Sequence, residues 1–441
     1  MIIPKKVKDI MQRLLDNNFE AYIIGGAIRD TILGIKPHDW DIFTNCSGKQ
    51  LSFLFPTSKI IGNEERQSKI LTVIVNGVEV SQYRSNGDRT KTGNTLNKHL
   101  STCDYNVNAI ACDINGNIID KYNGHQSLFL GNFNFVGNGI DRINEDPLRL
   151  MRGLRLLIHH KLKPDTQTKH ILKKYGYLLK QLPPERIRDE FMKLLKYPDS
   201  IDVLNEYAFL KYIIPELTDL IGLDDGPHHD EGDCYNHSVK AYKNSCKITN
   251  NCLIRLATLL HDIGKKPASK IIDGEITFHN HEMDSEKLVR QLMNRLKFSN
   301  KDILFVATMA RLHMMGPVNK MRDVTFAKIA SKMNTAGIEP EDMVVLTYSD
   351  NQANMSKVRL SFHTFLIENP FLRKYYEFKY GRKPFNKTDL EINGTDLIKL
   401  GIEPGPEIGR ILQNVYDAVH DGKVINRKDR LMEYVQNEKI N

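Results

Sequence analysis

Asp39 and Asp41 flank one residue in His38-Asp39-Trp40-Asp41, so an extended backbone places both carboxylates on the same face. Two carboxylates so spaced suit a pair of Mg²⁺ ions, which would deprotonate an attacking hydroxyl and stabilise a pyrophosphate leaving group. Glu79, in Val78-Glu79-Val80, is the candidate third carboxylate from a neighbouring strand. Upstream, Ile23-Ile24-Gly25-Gly26-Ala27-Ile28-Arg29-Asp30 runs from a strand pattern through two glycines into a helical pattern. Glycine lets the backbone approach a triphosphate, and a helix start offers free N–H groups to anionic oxygens. Taken singly, a Gly-Gly pair is a surface turn and a DxD is two solvated acids. Together, and in this order, they describe a nucleotide site.

A second set lies far down the chain. Leu259-Leu260-His261-Asp262-Ile263-Gly264-Lys265-Lys266 ends an apolar helix with adjacent imidazole and carboxylate, and His237, His281, His313 and Asp350 are further candidate ligands. A metal gathered there would activate water against a phosphate ester. Each histidine alone reads equally well as a structural or surface residue.

The elements that position these groups change along the chain. Ala21–Ile24, Ile70–Val75 and Val78–Tyr83 read as strands, the last two joined by an Asn76-Gly77 turn, and Val7–Asn17 reads as a helix. The expected fold class is α+β: a head with a small mixed sheet, followed by helical domains. From about residue 140 the strand signals fade and the helical period takes over. Leu148–Leu157 is helical, opened by an Asp146-Pro147 step that reads as an N-cap and Pro at N1. The expected divisions are 1–138 for the head, 139–225 for a neck and body, 226–355 for the histidine-rich domain and 356–441 for a helical tail.

With 441 residues, 41% hydrophobic and 26% charged, the chain has enough for several cores and is not wholly disordered. No apolar run reaches the ~18 residues that cross a bilayer, and the first residues lack a signal-peptide pattern. Six cysteines without a CxxC pair fit free thiols in a reducing cytoplasm. The net charge is +8, and residues 161–196 hold ten Lys/Arg against four Asp/Glu. That surplus permits a phosphate-backbone partner, although a solvated lysine face reads the same way.

Gly25-Gly26-Ala27-Ile28-Arg29-Asp30, Leu33-Gly34 and Asp39-x-Asp41 resemble the polymerase-β nucleotidyltransferase superfamily, and more narrowly the class II tRNA nucleotidyltransferases and bacterial poly(A) polymerases. Asp104-Tyr105-Asn106-Val107-Asn108-Ala109 is similar to the family's ribose-reading motif, Asp120-Lys121-Tyr122-Asn123-Gly124 to its DPYNG-like turn, and Glu145-Asp146-Pro147-Leu148-Arg149 to its neck helix. The resemblance implies addition of the 3′-terminal CCA of tRNA from CTP and ATP. Asp39, Asp41 and Glu79 would be catalytic, the first two binding Mg²⁺. Gly25, Gly26 and Arg29 would hold the triphosphate, and Asp104 with Asn108 the ribose. Asp146 and Arg149 would read the base, supported by Arg152 and Arg155. Read from residues alone, Asp146 is equally a helix cap and the arginines a solvent-facing stripe.

Thr102-Cys103 departs from the family, which has two arginines before the aspartate, and Ser85–Lys91 falls in a segment shorter than the family's flexible loop. These departures keep a poly(A) polymerase, or an enzyme adding only C or only A, open as alternatives. The histidine set resembles the HD phosphohydrolases, where His237, His261, Asp262 and Asp350 would hold one metal (Mg²⁺, Mn²⁺, Ni²⁺ or Co²⁺). His281 and His313 would complete a second site. The implied activity there is that of a 2′,3′-cyclic phosphodiesterase or a phosphatase, and a phosphohydrolase whose head only binds RNA is the further alternative. Gly394 to Leu412 resembles the tail of such enzymes, expected to pack against the tRNA elbow.

Overall fold

The computed structural model describes residues 1–61, 72–85, 88–92, 95–226, 232–316, 318–354, 357, 359–381 and 383–438. Ile70 and Leu71, Asn86 and Gly87 of the shortened segment, and His228 and His229 lie outside the described residues. The chain forms two compact units, Met1–Leu194 with Val203–Tyr212, and Leu195–Asp202 with Ile213–Asn441.

The first unit is built on a seven-stranded mixed sheet in the order Lys59–Ile61, Thr72–Val75, Val78–Gln82, Asp41–Thr44, Tyr22–Ile24, Ala111–Cys112 and Ile118–Ile119. The Asp41 strand runs parallel to the Val78 strand and antiparallel to the Tyr22 strand, with Asp41 opposite Glu79. Ile23, Ile42, Val73 and Val80 are fully buried within it. The helix Lys5–Leu15 buries Val7, Ile10, Met11 and Leu14, the one-sided stripe of an amphipathic helix.

The neck helix runs Leu148–His160. Asp146 accepts from the Leu148 N–H at 3.2 Å, so the aspartate cap foreseen at the Asp-Pro step is formed, with Pro147 already in helical conformation. Gly153 lies under Tyr105: a Cβ there would sit 2.2 Å from the Tyr105 hydroxyl, which donates to the Arg149 carbonyl at 2.7 Å. Any larger residue would push the neck helix away from Tyr105.

The second unit is mostly helical, with Cys234–Ile248 packed on Cys252–Leu260 and Pro340–Ala353, and Asn300–Leu312 packed on Cys252–Leu260 and His281–Arg295. Small strand pairs interrupt the helical portions of both units, Lys163–Pro164 against Asn132–Phe133 and Lys270–Ile272 against Glu275–Thr277. Two- and three-residue strands are too short to stamp a period on the sequence, so fading strand signals after residue 140 overstated the case.

Candidate active site of the head and a second centre

Gly25 holds φ +92°, a backbone conformation that costs an L side chain dearly, and its N–H donates to the Ile110 carbonyl at 3.2 Å. This pins the end of the Tyr22–Ile24 strand against the turn at Asn106–Asn108 and starts the helix Gly26–Ile32. The regular strand begins at Asp41, so Asp39 lies just ahead of it and not within it as expected. Register still brings the acids together, because Glu79 is the Cα partner of Asp41. Burial first, then Glu79 and Asp39, raise the Asp41 carboxyl to about 6. A buried carboxyl raised in this way by two neighbouring acids marks a cation site by its chemistry: a divalent ion removes the repulsion that burial has amplified.

A polar chain runs from this glycine turn into the neck. Arg29 donates to Asp30 at 2.8 Å and to Asn108 at 2.5 Å. Asn108 in turn donates to Asp104 at 3.0 Å, and Asp104 lies 2.8 Å from Arg152. Burial pushes the Asp104 carboxyl up, but Arg152, Asn108 and Arg149 outweigh it and hold the group below its ordinary range. Arg29 is therefore occupied with the turn as the structure stands. Asp120 accepts from the Gly124 and His125 N–H groups at 2.8 and 2.9 Å, making its motif a helix cap for Gly124–Phe129.

The neck residues are equally committed. Arg149 donates to Glu145 at 2.8 Å and to the Arg142 and Thr102 carbonyls at 3.1 and 3.0 Å. Arg155 meets Glu190 at 2.5 Å, and Asp146 meets Arg186 at 2.8 Å, both partners on the helix Pro184–Leu194. Sequence reading missed Arg186 and Glu190 because their pairing is long-range and carries no local spacing.

In the second unit, helix ends deliver the six foreseen residues to one point. His237 Nε2 lies 2.9 Å from Asp350, while Asp262 lies 3.2 Å from His261, 3.1 Å from His281 and 3.2 Å from His313. His261, His281 and His313 each direct Nδ1 at a carbonyl, of Thr258, Phe278 and Ala310, at 2.7–2.8 Å. A carbonyl only accepts, so Nδ1 carries the proton and each Nε2 can turn a lone pair inward. His261 Nε2 is buried with no hydrogen-bond partner, and His281 and His313 hold their Nε2 atoms 3.1 Å apart. Such a donor set fits a divalent metal. His237, His261 and Asp350 form one compact ligand group, and His261, Asp262 and His313 another. Sequence reading gave no role to Asp225 and Lys265. Lys265 lies 2.5 Å from Asp225 and 2.8 Å from Asp262, buried. Its position inside the His261-Asp262 block was the available signal. These groups line a cavity of about 400 Å³.

Three family models match the chain: the poly A polymerase head domain over residues 21–132, the RNA- and SrmB-binding site of polymerase A over 161–221, and tRNA nucleotidyltransferase domain 2 over 276–435. The CCA-adding enzyme of Bacillus mycoides (strain KBAB4) is 24% identical over 98% of each chain. That of Ligilactobacillus salivarius (strain UCC118) is 26% identical over 97% of this chain and 95% of its own. The crystal structure of the Bacillus stearothermophilus CCA-adding enzyme in complex with CTP superposes with a TM-score of 0.67 at 20% identity, covering 99% of this chain and 98% of that one. No helix among the described residues is long and apolar enough to cross a membrane. With its head, RNA-binding region and second domain matched in order, and relatives of the same length throughout, the chain is similar from end to end to the bacterial CCA-adding enzymes.

Proposed function

We propose that the protein is a cytoplasmic enzyme that adds or repairs the 3′-terminal CCA of tRNA from CTP and ATP, releasing pyrophosphate. The observation that carries this reading is the coupled triad of Asp39, Asp41 and Glu79, beside the Gly25-Gly26 turn and joined through Asp104 to the neck. Asp39 and Asp41 would hold Mg²⁺, with Glu79 as third carboxylate. Bound there, the ions supply positive charge at the attacking hydroxyl and the departing pyrophosphate. Gly25 and Gly26 let the triphosphate approach the backbone, and Arg29 fixes their turn through Asp30 and Asn108. Asp104 and Asn108 face the ribose, while Asp146 and Arg149 read the base edge, held in frame by Arg186 and Glu145. A G or U would leave donors or acceptors unpaired against that frame. Arg152 and Arg155 keep the neck seated on Asp104 and Glu190.

The test is extension of three tRNAs, ending before the first C, after the first and after the second, with Mg²⁺ and one labelled nucleotide at a time. Stepwise C, C and a single A supports the reading. One accepted nucleotide, or a growing A-tail, overturns it in favour of a partial enzyme or poly(A) polymerase. Unchanged activity in an Asp39→Ala/Asp41→Ala variant would sink metal-assisted transfer at the head and leave it a binding module.

The convergence of six ligands in the second unit favours a further reaction there, hydrolysis of a phosphoester such as a 2′,3′-cyclic phosphate. His237, His261, Asp262 and Asp350 would hold one divalent ion, and His281 and His313 would complete a second site. Such an ion supplies an activated water when bound. Lys265 bridges Asp262 and Asp225, and so fixes the carboxylate on which three histidines converge. Opening of the cyclic phosphate to a 2′- or 3′-monophosphate by wild type, and its loss in Asp262→Asn, is the expected result.

A further inference from the structure

Every arginine in the head and neck discussed so far has a carboxylate. Arg29 has Asp30, Arg142 and Arg149 share Glu145, Arg152 has Asp104, Arg155 has Glu190 and Arg186 has Asp146. Arg84 is different. Its buried Nε has no hydrogen-bond partner, as in Arg142 and Arg152, but unlike theirs its guanidinium makes no ion pair among the described residues. It follows directly on the strand that carries Glu79, and its own N–H donates to Nδ1 of buried His99 at 3.1 Å.

His99 fixes where this cation sits. Its ring lies 4.3 Å from Phe43, which is on the same face of its strand as Asp41. Its carbonyl accepts the Thr102 hydroxyl at 2.7 Å, with the Cys103 thiol at 4.0 Å. Arg84 and the Thr102-Cys103 step therefore meet at one residue, just ahead of Asp104. Thr102 and Cys103 bring no positive charge there, and the Thr102 hydroxyl is turned inward to His99. Burial lowers the Arg84 guanidinium from its usual range, Arg152 and Arg149 press the same way, and Cys103 and Asp41 pull against them. A half-buried guanidinium beside two others, and with no ion pair among the described residues, is costly to hold. An anion that arrives with the substrate offsets that cost.

We infer that Arg84 is a substrate-binding residue of the head that receives a phosphate group, supplying the cation that Thr102-Cys103 does not. Two substrates of the proposed reaction carry that chemistry, the incoming nucleoside triphosphate and the terminal phosphodiester of the RNA. This inference rests on the head being a nucleotidyltransferase, yet its binding arm needs no turnover.

The experiment compares wild type with Arg84→Gln and Arg84→Lys in the full-length chain. Calorimetry measures inorganic tripolyphosphate, CTP and a tRNA lacking its terminal A, and extension kinetics separate KM from kcat. Arg84→Gln should weaken one phosphate ligand by about ten-fold or more, the worth of a charge-assisted pair. KM should rise more than kcat falls, and Arg84→Lys should recover part of the loss. Weakened tripolyphosphate and CTP assign the group to the incoming nucleotide, and weakened tRNA alone assigns it to the primer. Wild-type affinity for all three in Arg84→Gln overturns the inference. So does equal weakening in both variants with a lowered melting temperature, which marks a purely structural residue. A wild type that binds tripolyphosphate through Arg84 but extends no tRNA would leave this site standing while the CCA reading fell.

Discussion

Asp41 sits among the acids of the head, largely enclosed beside Glu79 and Asp39. Its carboxyl titrates near 6 in the fold against an ordinary value of 3.8, so between those values the native state binds more protons than the unfolded chain. Stability of the metal-free protein therefore falls as pH rises through that window. Asp41→Asn removes the term: thermal melts in chelator should show the variant more stable than wild type above pH 6, the gap closing towards pH 4, although nucleotide addition is lost. Equal pH slopes for the two proteins would refute the coupling. Arg186 makes a different case, since it reaches Asp146 from a separate helix. Arg186→Ala should let Asp146 swing, and competition between labelled CTP and UTP should show discrimination reduced by about five- to ten-fold, the scale of one lost charged hydrogen bond. Undiminished discrimination would mean that the Asp146 carboxylate is oriented without Arg186. The acids and glycines were legible because DxD and Gly-Gly impose local geometry. Arg84, Arg186 and Glu190 were not, since nothing in their own neighbourhoods distinguishes them from surface charge.

At the scale of elements, the neck helix is where sequence and structure agree most usefully. The Asp146-Pro147 step and apolar spacing predicted the helix start, and Leu150, Met151, Leu154 and Ile158 are buried along it. The period could not tell that Gly153 is the contact point with Tyr105. Gly153→Ala gains helix propensity of up to ~1 kcal/mol, but its methyl would overlap the Tyr105 hydroxyl at 2.2 Å. Overpacking of that kind costs roughly 1–3 kcal/mol, so denaturant melts should show net destabilisation. Tyr105→Phe in the same background should recover only part of it, because the ring carbon behind the hydroxyl is still 2.8 Å away. A Gly153→Ala protein as stable as wild type would mean that the neck can shift without cost. The sequence also located strands Tyr22–Ile24 and Val78–Gln82 within a residue at either end, but not the two- and three-residue pairs, where cross-strand partners decide the pairing.

Across the whole chain, the carboxylates of the head and the histidines of the second centre belong to different compact units, each with its own core. Their stabilities should respond to ions separately. In the second unit the folded protein presents converged ligands that an unfolded chain scatters, so a divalent ion binding there stabilises the native state by mass action. The gain is about 2.7 kcal/mol at a hundred-fold excess over Kd. Scanning calorimetry of metal-stripped protein should therefore show a transition that rises on adding Mn²⁺ or Ni²⁺, and that rise should vanish in Asp262→Asn. Asp262 is the residue to change because His261, His281, His313 and Lys265 all approach its carboxylate, whereas His237 answers chiefly to Asp350. The same variant should still extend tRNA, since no group of the head triad is altered. A melt insensitive to divalent ions would refute a metal centre in the second unit. Loss of tRNA extension in Asp262→Asn, with the fold intact by circular dichroism, would instead show that the second unit acts on the reaction of the head, and that two separable cores do not make two separable activities.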